Sequence, residues 1–218
     1  MSEHIGPAQL IASLAGDLRP VRRLRPPMAR ALAWVAVVAV AAVLASQAAD
    51  LHSVRERLFG AADMWLAAAG SALTAIFAAI AAFQLSVPGR SGRRWVALSL
   101  AAMLLWVGAS GMGCLRAWSL PMAHDPSMGE ERDCLYFILG VSAPLTALML
   151  VMLRRAFPLW PSLTAGMAGL SGAGASASLL TFFHPFNPAA TDIAMHALAV
   201  GVVIGLSRVL GGGWLGRR

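Results

Sequence analysis

Lysine is absent from this chain, tyrosine occurs once, cysteine twice, and charged residues of both signs make up only 12% of its 218 positions. A water-soluble domain carries about twice that share of charge, so a soluble fold is excluded at the level of composition. No heptad, solenoid period or low-complexity tract interrupts the pattern, and the connections are short. These absences leave one domain and no room for a soluble catalytic unit. Compact Cys-x2-Cys and His-x3-His pairs are missing too, so no spacing is diagnostic of a metal site, and nothing calls for a resident cofactor. Nothing in the physics of the fold requires the lack of lysine.

What is present is apolar, at 58% of the residues. Six stretches, at about residues 31–49, 64–86, 95–113, 135–153, 162–183 and 193–210, each approach the ~20 residues that a helix needs to cross hydrocarbon. Open strands would leave backbone groups unpaired in lipid, so the expected fold is all-α: a polytopic membrane protein built as a six-transmembrane-helix bundle. No charged residue lies near the centre of any stretch, which removes the mid-depth ionisable groups that a pump or transporter needs. The first stretch is too long for a cleaved signal core and no Ala-x-Ala exit follows it, so it is expected to remain in the membrane.

Arginine sets the orientation. Thirteen of the seventeen arginines lie before the first stretch (Arg19, Arg22, Arg23, Arg25, Arg30), between the second and third (Arg90, Arg93, Arg94), between the fourth and fifth (Arg154, Arg155) and at the end (Arg208, Arg217, Arg218). The other three loops hold only Arg55, Arg57, Arg116 and Arg132, together with eight of the ten acids. By the positive-inside rule both termini are expected in the cytoplasm, as in a polytopic inner-membrane protein. The basic side suits anionic lipid headgroups and does not call for nucleic acid. The expected organisation is a cytoplasmic tail over residues 1–29, a membrane domain over 30–211 and a short cytoplasmic end over 212–218.

The tail carries the most informative polar segment. Pro7 suits the first turn of a helix, and Leu10, Ile11, Leu14 and Leu18 then share one face until Pro20 ends the run. A helix of about twelve residues is marginal in water, so this amphipathic element needs a surface to dock on, either the bilayer or a protein groove.

The stretch from Leu10 through Asp17, Leu18, Arg19, Pro20, Arg22 and Arg23 to Pro27 resembles the N-terminal signature of the NrsF-type negative regulators of sigma F, a family of six-span bacterial membrane proteins. The loop Leu85-Ser-Val-Pro-Gly-Arg90, Leu105-Trp106, Cys114 with Cys134, the segment Arg154-Arg-Ala-Phe-Pro158 and His196 match the same pattern in order. The resemblance implies an anti-sigma factor that holds an extracytoplasmic-function sigma factor at the membrane and releases it on a periplasmic signal. Leu10, Ile11, Leu14 and Leu18 would then fill a groove of the sigma factor, with Asp17, Arg19, Pro20, Arg22 and Arg23 at its rim. Sequestration needs binding alone, so the lack of catalytic machinery fits.

Cys114 ends the third stretch and Cys134 begins the fourth, which places both at the outer face of two helices expected to be antiparallel neighbours. In an oxidising compartment they are candidates for redox sensing or for a permanent disulfide. Closing a loop of about twenty residues stabilises the joined state by roughly 3 kcal/mol in the chain-entropy model. A metal ion is the related signal, with Cys114, Cys134, His184 and His196 as candidate ligands; His52, His124 and the Asp192/His196 pair also lie toward that face, where ordinary hydrogen bonds explain them equally well.

A different class of protein is suggested by Gly169-Leu-Ser171-Gly172, which resembles the nucleophile motif of rhomboid proteases, with His196 as the base. Depth opposes it: Ser171 is expected ~18 Å below the outer end of its span and His196 only ~5 Å below its own. The neighbouring Gly166, Gly174, Ala175 and Ser178 offer a plainer reading, a small-residue surface for close helix packing. Pro144 is read as a tolerated packing proline, and Trp34, Trp65, Trp95, Trp106, Trp118, Trp160 and Trp214 mostly as interfacial anchors.

Overall fold

The computed structural model describes residues 6–16, 23–119, 128–183 and 190–216, and over these it is all-helical. The tail helix α1 spans Pro7–Gly16, with Pro7 in its first turn as expected, and buries none of its residues. Asp17, Leu18, Arg19, Pro20 and Arg22 lie outside the described residues, and Arg23 is exposed in a non-helical segment. Pro26, held in polyproline geometry, precedes α2 (Pro27–Ala48), whose first position is Pro27, where a missing N–H costs no helical bond.

Between α2 and the next long helix stands an element that the sequence reading treated as loop, α3 (Leu51–Gly60). Asp50 caps it, accepting from the amides of His52 and Ser53 at 3.1 and 3.4 Å and from the Ser53 hydroxyl at 2.6 Å. The signal was available: an aspartate cap followed by Leu51, Val54 and Leu58 on one face. The long helices α4 (Ala62–Leu85), α5 (Arg93–Ser119) and α6 (Met128–Leu153) follow. Between α4 and α5 the turn Val87-Pro88-Gly89-Arg90 is closed by the Arg90 amide donating to the Val87 carbonyl, and Gly89 has φ of 79°, a left-handed position that proline followed by glycine supplies without strain.

The fifth expected span is α7 (Pro161–Leu180), and it forms the axis of the bundle. Thirteen of its twenty residues are Gly, Ala or Ser, and sixteen are buried. Successive turns of α7 meet neighbouring elements at very close range. An added methyl would stand 2.8 Å from the Arg208 side chain at Gly166, 2.6 Å from the Ser207 hydroxyl at Gly169, against the Thr146 hydroxyl at Gly172 and 2.9 Å from the Ser71 carbonyl at Gly174. The small-residue surface read from the sequence is therefore present, and it encircles the helix. The chain ends in α8 (Ala190–Leu206), a π-helical turn over Ser207–Gly211 and α9 (Gly212–Gly216), which run on as one rod.

Among the described residues five helices are long and apolar enough to cross a membrane: Pro27–Ala48, Ala62–Leu85, Arg93–Gly113, Leu135–Leu153 and Ile193–Gly216. α7 is long enough but poorer in large apolar side chains, because protein rather than lipid surrounds it. One expectation needs correction. α5 packs chiefly on α4, while α6 packs on α7 and α8, so along the described residues α5 and α6 are not the packed antiparallel neighbours expected from their order in the chain. The small faces of α4 and α7 admit closer contacts than α5 and α6 offer each other, and an eight-residue connection does not force the two together.

Candidate functional site: a tail joined to the bundle through Arg30

The stripe on α1 is laid out as its spacing requires. Leu10, Ile11 and Leu14 are 48%, 67% and 60% exposed, an apolar face that the rest of the described chain leaves uncovered. Ten residues after the end of this helix the chain enters the bundle, and there the structure places a group that the sequence reading counted only as one more inside charge. Arg30, in the first turn of α2, is 7% exposed and is the one charged side chain buried among the described residues.

Its guanidinium ties together the ends of two other helices. One nitrogen donates to Ser86 Oγ at 3.4 Å and another to the main-chain carbonyl of Met152, while the guanidinium carbon stands 4.8 Å from the centre of the Phe83 ring. Ser86 is the cap residue at the end of α4, and Met152 is the penultimate residue of α6. The last carbonyls of a helix have no partner within it and carry the negative end of its dipole, so a planar cation with several donors is suited to hold two such ends at once. Charge is thus met by helix ends rather than by a carboxylate.

One turn further along, Trp34 corrects its reading as an interfacial anchor. It is 1% exposed, and its indole N–H donates to the carbonyl of Leu145 in α6 at 3.3 Å. Leu145 follows Pro144, which α6 carries within an otherwise continuous helix. The buried residues of α2 are Pro27, Arg30, Ala31 and Trp34, all in its first two turns; beyond them Val37, Val40, Val43 and Leu44 are exposed. α2 is therefore most deeply buried at its tail end, and beyond it only one face, with Val38, Ala41, Ala42 and Ala45, packs on the bundle.

The remaining candidates divide by place. Cys114 stands on α5 five residues before its end and Cys134 on α6 six residues after its start, both at the end of the bundle opposite Arg30; the description does not extend to their side chains. His184 and His124 lie outside the described residues. His196, on α8, lines a cavity together with Asp63. Among the described residues no three His, Cys, Asp or Glu side chains are grouped to hold a metal. His52 stands 3.7 Å from Glu56 on the exposed face of α3, and the hydrogen bonds that Asp50 accepts from Ser53 and His52 hold its carboxyl below the ordinary carboxylate range.

The protease constellation is not assembled. Ser171 is fully buried and donates to the carbonyl of Ala75 at 2.7 Å, whereas α7 meets the His196 cavity only from Ala177 onward, six residues or ~9 Å further along the axis.

A bundle of membrane-length helices around a small-residue axis, with an unburied apolar stripe on its tail, fits the class of helical membrane proteins. The family comparison makes that class specific: the model for negative regulators of sigma F (NrsF) matches residues 14–216, nearly the whole length, and the chain belongs to that family. The match begins at Leu14, inside α1, so Leu10 and Ile11 precede it. The family's description implies a regulator that acts against a sigma factor. Comparisons with curated proteins and with solved structures returned no match.

Proposed function

We propose that this protein is a transmembrane anti-sigma factor which sequesters an extracytoplasmic-function sigma factor at the bacterial inner membrane. In this reading α2, α4, α5, α6, α7 and the α8 rod all cross the bilayer and both termini are cytoplasmic. The arginine distribution supports that orientation, and the twenty residues of α7, about 30 Å of helix, suffice for the sixth crossing. Its low apolarity is no obstacle, because its neighbours shield it from lipid.

The observation that carries the reading is the uncovered stripe of Leu10, Ile11 and Leu14 on a helix too short to persist alone. A groove in the sigma factor supplies the missing surface, with Asp17, Leu18, Arg19, Pro20, Arg22 and Arg23 extending the contact. Release begins at the periplasmic end. Oxidation of Cys114 and Cys134 removes two electrons and two protons, which pass to a periplasmic oxidant, and joins α5 to α6. The joined pair couples two helices that share few contacts along the described residues, and the reading takes the resulting shift of α6 as the signal, which makes the pair a switch rather than a staple. Heavy metal bridging the same cysteines, with His184 or His196, is the alternative trigger.

The route inward is α6 itself. From Cys134 to Met152 it covers about 27 Å, and at its inner end Arg30 and Trp34 hold its carbonyls. Movement of α6 therefore moves the first turns of α2 and with them the tail. The test is recovery of the sigma factor from cell membranes with the intact protein, with Leu14→Asp and with a version lacking residues 1–27. The reading expects a sigma factor with the first and none with the other two; equal recovery from all three would end it, and recovery from none would leave α1 as a membrane anchor.

A further inference from the structure

A cavity of about 310 Å³ opens in the half of the bundle opposite Arg30, between α4, α5, α7 and α8. Its lining runs from Asp63 to Ser71 on α4, from Met103 to Gly113 on α5 and from Ile193 to Ile204 on α8, so it extends about 12–16 Å along the helices from their outer ends. The walls are strongly graded. Asp63 and His196 lie at the outer end, and Met103, Trp106, Val200 and Ile204 lie deeper. α5 and α8 touch only sparsely here, while α4 and α7 close the back, with Ser71 Oγ 3.0 Å from Ser178 Oγ.

The volume sits at the lower end of the range for small-molecule sites, which suits a single ring with a short substituent. An indole and a thioether in the wall favour the face or edge of an aromatic or quinonoid ring. The outer end offers a carboxyl and an imidazole together, groups with hydrogen-bonding capacity for acceptance and donation beyond the contacts they already make. A neutral head that both donates and accepts suits the two side chains. We propose that this cavity binds a neutral, ring-headed amphiphile that partitions from the bilayer, of the quinone and quinol class, with its head at Asp63 and His196 and its tail leaving between α5 and α8. The inference goes beyond sigma binding and does not depend on it.

The test uses the full chain in nanodiscs and decylubiquinone as the probe, read by saturable quenching of tryptophan fluorescence and by the thermal midpoint. Saturable binding is expected for the native protein. Ala109→Leu, which fills the cavity from α5, should abolish it while leaving the midpoint unchanged or higher, and Ala67→Leu does the same from α4 if the first variant fails to fold. His196→Gln should weaken binding about tenfold. Quenching that does not saturate, or that is equal in the native and both filled proteins, overturns the proposal. So does equal competition by a headless alkane of the same chain length, which would make the cavity a slot for lipid tails.

Discussion

Arg30→Lys isolates what the guanidinium fork contributes. The substitution keeps one positive charge at the start of α2, and therefore keeps most of the cost of burying it, but an ammonium on an unforked stem reaches Ser86 or the Met152 carbonyl, not both. One hydrogen bond from a charged donor is lost, which contributes about 1.5–3 kcal/mol, and the Ser86 contact at 3.4 Å lies at the weak end of that range. A net loss of about 2 kcal/mol follows, or roughly thirtyfold in an equilibrium between fastened and released α2. For a chain of this size the thermal midpoint of the purified protein should fall by about 4–8 °C. In cells, a reporter driven by the sigma factor should be partly active without any inducing signal, because the tail is no longer fixed to the end of α6. Adding Ser86→Ala to the lysine variant should cost little more, since the two changes break the same joint. An Arg30→Lys protein with an unchanged midpoint and a silent reporter would refute the argument that Arg30 joins tail to bundle.

The other expectations are more direct. Leu14→Asp puts a charge on the uncovered stripe and should reduce sigma binding at least a hundredfold in a pull-down while leaving membrane insertion unchanged. Cys114→Ser with Cys134→Ser should leave sequestration intact and abolish the reporter's response to oxidant; a retained response would make the pair structural. Gly174→Ala drives a methyl to 2.9 Å from the Ser71 carbonyl and 3.1 Å from the Ala75 nitrogen, so α4 must give way and the midpoint should drop by the equivalent of about 1–3 kcal/mol. For the Asp50 cap the sign follows from its depressed pKa. The cap holds through the neutral range and just below the ordinary carboxylate pKa, and it is lost as pH falls through the lowered value. Hydrogen exchange at the His52 and Ser53 amides should therefore accelerate only in strongly acidic buffer, and at all pH values in Asp50→Ala.

Much of the fold could be read from apolar run length, because lipid demands long continuous helices and the chain supplies them with loops at fixed points. The small-residue surface of α7 and the stripe on α1 both follow from local chemistry that a single sequence displays. Arg30 and Trp34 did not show, for a physical reason: their partners are main-chain carbonyls of Met152 and Leu145, more than a hundred residues away, and any residue has a carbonyl. No pattern of side chains marks such an acceptor. The separation of α5 from α6 was hidden likewise, since order in the chain indicates adjacency and only close packing on glycine, alanine and serine decides which helices meet.

In a water-soluble protein the positions least tolerant of change are usually those with large side chains, which fill a core. Around α7 the relation is inverted. Gly166, Gly169, Gly172 and Gly174 each face a different neighbour, so no one adjustment could make room for growth at all of them. A scan of every substitution along this chain should therefore show its deepest intolerance along a line of the smallest residues, while Val40, Val43 and Leu44 on the outer face of α2 exchange freely among apolar types.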